Sequence, residues 1–66
     1  MLTPRELEVL RLMPTHSSKE IARELGIAAD TVRNHQYYIR QKLGIVGGGR
    51  TRTVLKGIEL GLINLD

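Results

Sequence analysis

A run of long polar side chains between Asp30 and Gly44 has the residue types that recognise DNA bases. At about 100° per residue, this stretch divides into two faces. The apolar face has Val32, Ile39 and Leu43. The polar face has Asp30, Arg33, Asn34, Tyr37 and Gln41. Since Arg and Asn side chains can form paired hydrogen bonds with base edges in the major groove, the stretch predicts a recognition helix at about 29–43. An ordinary surface helix has the same two faces, so the flanking sequence is needed to distinguish a recognition helix from it.

Residue constellations for catalysis or metal binding are missing from the sequence. The chain has 66 residues, no cysteine and two histidines. Its carboxylates stand among basic residues at helical spacing, where surface ion pairs are the ordinary arrangement. A nucleophile needs an adjacent base, and a structural zinc site needs converging Cys or His ligands. We therefore predict that the chain is not an enzyme and binds neither a cofactor nor a metal.

Positive charge is concentrated in the second half of the chain. Residues 1–29 have four basic and four acidic side chains, whereas residues 30–56 have six basic side chains against one acidic one. The net charge of the whole chain is +3. A local basic excess is the electrostatic footprint of a protein that binds a polyanion.

The length of the chain suits one small domain over residues 1–66, near the lower limit for folding without disulfides or metal. No apolar run approaches the roughly 18 residues of a membrane span, and no signal-peptide segment opens the chain. We expect no membrane association and a cytoplasmic location.

Local signals predict two short helices before the recognition helix. Thr3 and Glu6 form a capping box, as do Ser17 and Glu20, and each box should start a helix. Gly26 should end the second helix in a left-handed conformation. A short helix, a glycine turn and a longer helix make up a helix-turn-helix unit.

A fourth helix is predicted at about 51–60, after the glycine-rich segment Val46–Gly49. Gly61 should end it. Its apolar positions are Val54, Leu55, Ile58 and Leu62. The fold class is therefore all-α: a compact four-helix domain that contains a helix-turn-helix unit.

Four blocks of the sequence resemble the LuxR-type (GerE-like) DNA-binding domain of bacterial transcription regulators. The blocks are LTPRELEVLRLM, SKEIARELGI, DTVRNHQYYIRQKLGI and ELGLI, and they occur in the family's order between Leu2 and Ile63. The resemblance implies sequence-specific binding of double-stranded DNA, with the third helix in the major groove. It also implies self-association through the fourth helix on a two-fold operator.

The resemblance assigns roles to individual residues. The positions that match base contacts are Arg33, Asn34 and Tyr37. The positions that match phosphate contacts are Lys19, Thr31 and, as a weaker candidate, Lys42. The outward positions of the fourth helix, where we expect dimer contacts, are Leu55, Lys56 and Ile58.

The sequence departs from the family's pattern in three places. The link PTHSS is one residue shorter than usual, and the loop VGGGRT is about two residues longer. Ala28 stands where the family has a serine cap, which removes a cap worth about 1 kcal/mol. The two length differences affect the expected geometry of the first link and of the dimer, but not the base-reading face.

Two other functions compete with this interpretation. LTPRE, the EIA helix and TVR would also suit a sigma-factor region 4-like promoter binder. A protein-interaction module could instead use the fourth helix to bind RNA polymerase or another regulator. Retention on heparin with salt elution would distinguish a DNA binder from a pure interaction module.

Overall fold

Four helices make up the regular structure of residues 1–64, which are the residues that the computed structural model describes. They are α1 (Pro4–Leu12), α2 (Ser18–Leu25), α3 (Ala29–Leu43) and α4 (Gly49–Glu59). The described residues extend over 28 × 26 × 20 Å. The predicted all-α, compact four-helix fold is confirmed, and α3 has the bounds expected of the third helix. Leu65 and Asp66, the last two residues of the predicted domain, lie outside the described residues.

Both predicted capping boxes are present. The Thr3 amide donates to Glu6 Oε1 at 2.8 Å, and the Glu6 amide donates to Thr3 Oγ1 at 3.1 Å. At α2 the reciprocal bonds between Ser17 and Glu20 are 2.8 Å and 3.2 Å long. The hydrogen bond from the Ser17 backbone lowers the pKa of Glu20 below its ordinary value of 4.5. Side chains adjacent in sequence thus satisfy amides that the first turn of each helix leaves without partners.

The start of α4 differs from the prediction. The helix begins at Gly49 and ends at Glu59, whereas the sequence predicted 51–60. Gly47, Gly48 and Gly49 have φ angles of +71°, +74° and +54°, so the chain turns through three consecutive left-handed residues. The Arg52 amide donates to the Gly48 carbonyl at 3.5 Å, so the first helical turn begins within the glycine run, and the Thr53 hydroxyl donates to the Gly49 carbonyl at 3.0 Å.

The C-terminus of α4 folds back onto the core. Gly61 has a φ of +76°, and the amide of Leu62 donates to the Gly57 carbonyl at 2.8 Å, which is the Schellman arrangement. This turn brings Ile63 against Gly57, where a Cβ atom would lie 2.6 Å from the Ile63 side chain. Gly57 is therefore a packing position, a role that the sequence analysis missed.

The core lies where α1 and α2 pack against one face of α3. Its fully buried apolar side chains are Val9, Leu10, Ile21, Val32 and Ile39. Of the predicted apolar face of α3, Val32 and Ile39 are completely buried and Leu43 is half-buried. Because this face is covered, the opposite face of α3 is left at the surface.

Arg50 connects the start of α4 to the link between α1 and α2. Its guanidinium donates to the backbone carbonyls of Met13 and His16. Carbonyl groups that follow a helix need such partners when the chain turns away. One charge of the basic second half therefore stabilises the fold, which the charge distribution alone did not indicate.

Candidate nucleic-acid interface

The outward face of α3 presents the predicted base-contacting residues to solvent. Arg33, Asn34 and Tyr37 are all exposed. Asp30 and Gln41, predicted on the same face, are exposed as well. The structure thus brings the predicted polar side chains together on one helix surface. A helix of this kind, held by its apolar back, can enter a major groove about 12 Å wide.

Arg33 is held by an ion pair within its own helix. Its Nη1 atom lies 2.7 Å from Oδ1 of Asp30, one turn earlier. Both side chains are open to solvent, with 60% of the arginine and 89% of the aspartate exposed. The sequence placed both residues on the polar face but did not predict that they would pair.

Two tyrosines add an aromatic surface to this helix. The rings of Tyr37 and Tyr38 meet edge to face, with centroids 5.5 Å apart and planes at 73°. They are 52% and 53% exposed, and the chain has no Phe or Trp. Since neither ring belongs to the core, both can contribute contact area to a partner. Tyr38 was missed as a site residue, and its side-by-side position with Tyr37 was the signal that could have indicated it.

The candidate phosphate contacts at the start of the helix-turn-helix unit are accessible. Lys19, the second residue of α2, and Thr31, in the first turn of α3, are exposed. Within residues 1–64, the side chain of Lys19 makes no hydrogen bond or ion pair, and neither does the side chain of Arg23 one turn later. Arg40 lies two turns after Arg33 on the same side of α3 and is also unpaired among the described residues. Arg23 and Arg40 had no predicted role.

Lys42, the weaker candidate for a phosphate contact, lies apart from the other candidates. It lies nine residues after Arg33, which places it on the opposite side of α3. There its ammonium group is 2.8 Å from Oε1 of Glu6, whose side chain is 6% exposed. The hydrogen bond from Lys42, followed by the one from the Thr3 backbone, lowers the pKa of Glu6 below 4.5. The structure therefore gives Lys42 a role in joining α3 to α1.

The outward side of α4 has exposed apolar side chains beside the exposed charges of Arg52 and Glu59. Leu55, Ile58 and Leu60 are 60%, 36% and 50% exposed. Lys56, the third residue predicted in a dimer interface, is half-buried and pairs with Glu59 at 3.5 Å. Leu60 was not among the predicted interface residues. Its exposure extends the apolar surface towards the end of the helix.

Metal-binding clusters and membrane-spanning helices are absent from the part of the chain that the structure describes. Residues 1–64 contain no group of three or more His, Cys, Asp or Glu side chains placed to hold a metal ion. None of the described helices is long and apolar enough to cross a membrane.

Three comparisons with known proteins all find bacterial regulatory proteins. Residues 1–47 match the family of bacterial regulatory proteins called the luxR family. The spore germination protein GerE of Bacillus subtilis (strain 168) is 42% identical over 66 residues, covering 98% of this chain and 86% of GerE. The transcriptional regulatory protein DegU of Brevibacillus brevis is 38% identical over 66 residues, but the match covers only 27% of DegU. A solved structure of the transcription factor GerE superposes with a TM-score of 0.84 at 41% identity, covering 98% of this chain and 96% of that one.

Proposed function

Because the chain belongs to the luxR family of bacterial regulatory proteins, we propose that it regulates transcription by binding double-stranded DNA sequence-specifically, with α3 in the major groove. The resemblance read from the sequence is thereby confirmed. The family is one of DNA-binding transcription regulators, which is not an enzymatic class. The family match also favours this function over a sigma-factor region 4-like promoter binder.

The observation that carries the proposal is the exposed polar face of α3 opposite an apolar face that packs against the core, where Val32 and Ile39 are completely buried. Arg33 has the donors to bond guanine O6 and N7, and Asn34 can pair with adenine in the same groove. Tyr37 follows Arg33 by one turn and can bond a phosphate or pack on a thymine methyl group. Lys19 and Thr31 are proposed to bind phosphates beside these bases, which would fix the register of α3 along the DNA.

Selection of DNA from a random pool by the pure protein tests the proposal. We expect a half-site of a few base pairs to be enriched, because that is what a single recognition helix reads, and to occur as a two-fold pair where two copies bind together. The protein should also bind heparin and elute with salt. Binding without enrichment of any sequence would contradict sequence-specific recognition, and a protein that binds neither DNA nor heparin would support a pure interaction module.

Lys19→Ala is expected to weaken binding to every DNA sequence alike. Loss of one phosphate contact should reduce the slope of log K against log salt by roughly one unit. Titration of a selected and a scrambled duplex at several salt concentrations measures the affinity for each sequence and the salt slope. Arg5→Ala is the matched control, since Arg5 is exposed on α1 and pairs with Glu8 at 3.7 Å. A change in the preferred base with an unchanged salt slope would contradict the phosphate role.

We further propose that two copies bind a two-fold operator through the exposed side of α4. The contact residues are Leu55, Lys56 and Ile58, and the exposure of Leu55 and Ile58 supports this assignment. The same apolar side is where a contact with RNA polymerase would be sought. A cytoplasmic location belongs to the proposal, since the DNA that a bacterial regulator reads lies in that compartment.

The expected assembly is a monomer at micromolar concentration that pairs on DNA. The exposed apolar patch on α4 is small. The left-handed glycines before α4 also give the helix no side-chain cap, so its position is only weakly fixed. For both reasons, the contact between two copies should be weak in free solution. Sedimentation of the protein with and without a palindromic site tests this, and Leu55→Asp should bind one half-site but lose pairing. A tight dimer in the absence of DNA, or one protein per palindrome, would contradict the prediction.

A further inference from the structure

The bond between Asp30 and Arg33 places a negative charge on the surface that is proposed to enter the DNA. Asp30 lies one turn before Arg33 and two turns before Tyr37, so all three share one stripe of α3. A carboxylate there should repel phosphates, which makes it a costly residue for a protein that only needs to bind DNA tightly. Its position calls for a role other than affinity.

The ion pair between Asp30 and Arg33 contributes little to folding stability. The pair is open to solvent on both sides, with 60% of Arg33 and 89% of Asp30 exposed. Exposed ion pairs of this spacing contribute little to the stability of a fold. Asp30 also makes no side-chain cap for α3, because the amides at the start of this helix receive no side-chain hydrogen bond. As an acidic residue in the first turn, Asp30 interacts favourably with the helix dipole, but that interaction needs no bond to Arg33. The bond of 2.7 Å to the guanidinium therefore points to a further effect of the carboxylate, on Arg33.

We propose that Asp30 is a specificity-determining residue that positions Arg33 for one guanine and keeps it away from phosphates. This inference rests on the proposed function. A free arginine side chain has many rotamers, and the phosphates on either side of the groove compete for its guanidinium. The bond of 2.7 Å from Nη1 to Asp30 removes much of that freedom. It leaves the Nε and Nη2 donors for a paired contact with guanine O6 and N7.

Positioning and simple charge repulsion predict different results for two variants of Asp30. Asp30→Ala removes both the negative charge and the acceptor. Asp30→Asn removes the charge but keeps an oxygen that can accept from Arg33. If Asp30 positions Arg33, both variants should bind scrambled DNA more tightly, because each removes a negative charge from the surface that faces the phosphates. Only Asp30→Ala should lose most of the preference for the selected sequence, with Asp30→Asn lying between it and the wild type.

The experiment measures affinities for the wild-type selected duplex and for a scrambled duplex at one salt concentration. Asp30→Ala is expected to raise the affinity for scrambled DNA about twofold or more. It should lower the ratio of the two affinities by about tenfold. Glu8→Ala is the matched control, because Glu8 is an exposed carboxylate in a pair of the same spacing on α1. Its affinity ratio should equal that of the wild type.

A double-mutant cycle shows whether the effect passes through Arg33. In an Arg33→Ala background, Asp30→Ala should no longer change the ratio of affinities, although it should still raise the affinity for all DNA. An unchanged ratio for the single variant Asp30→Ala, or a further change of the ratio when Asp30→Ala is added to Arg33→Ala, would overturn the inference and leave the proposed function intact. A wild-type protein that enriches no sequence would overturn both.

Discussion

Arg33→Ala is expected to abolish the sequence preference of the protein while leaving its fold intact. The side chain is 60% exposed, and within residues 1–64 its one bond is to Asp30 on the same helix, so no core contact is lost. Loss of a paired contact with guanine should cost about 1–3 kcal/mol of discrimination between the right and wrong base. Parallel selections from a random pool with the wild type and the variant measure the effect, and thermal unfolding confirms that both are folded.

Arg23→Ala provides the control for Arg33. It removes the same charge from an exposed position on α2 that makes no bond within the described residues, so it should lower affinity without changing the enriched sequence. An Arg33→Ala protein that enriches the same site as the wild type would show that Arg33 does not read a base. Another residue of the exposed face would then have to make the base contact.

Lys42→Met is expected to destabilise the fold by about 1–3 kcal/mol at neutral pH, since the buried carboxylate of Glu6 would lose its charged partner. The expected loss follows from the 2.8 Å bond between Lys42 and Glu6. Urea unfolding measures it. Lys56→Met is the matched control, because Lys56 pairs with the exposed Glu59 at 3.5 Å and should contribute no more than about 1 kcal/mol.

The same pair should make stability depend on pH in a defined window. The pKa of Glu6 in the fold is below its ordinary value of 4.5, because Lys42 and the Thr3 backbone donate to the charged form. The unfolded chain therefore binds a proton more readily than the folded one as the pH falls past 4.5. The stabilisation is present above that pH and is lost as the pH falls through the lower pKa of the folded state. Glu6→Gln should lose less stability than the wild type over this window.

One result would support the phosphate role predicted for Lys42. If Lys42→Met unfolds at the same urea concentration as the wild type but binds all DNA sequences more weakly, the ammonium acts on DNA and not on Glu6. We expect the reverse, with a lower unfolding midpoint and an unchanged salt slope for the protein that remains folded.

The features that the sequence predicted well are those that depend on neighbouring residues. The capping boxes at Thr3 and Ser17, and the left-handed turns at Gly26 and Gly61, each involve groups within a few positions of one another. The two faces of α3 follow from helical periodicity alone. Sequence therefore sufficed for the fold class and for the surface that carries the candidate site.

The features that it missed depend on how the helices pack. The pairing of Lys42 with Glu6 joins residues 36 positions apart, and Arg50 reaches carbonyls 34 and 37 positions away. A count of basic residues cannot separate charges used inside the fold from those that remain free. Periodicity likewise gave no reason to expect Ile63 to close over Gly57, since that contact depends on the chain reversal after α4.

Methylation interference on the selected DNA site tests most directly whether α3 reads the major groove. Guanine N7 lies in the major groove and adenine N3 in the minor groove, so methylation at each atom reports on one groove. We expect N7-methylguanine at one or more positions of the site to block binding, with at least one of these effects absent in Arg33→Ala. N3-methyladenine within the selected site should leave binding of the protein unchanged. Interference by N3-methyladenine alone, or by neither modification, would contradict the placement of α3 in the major groove.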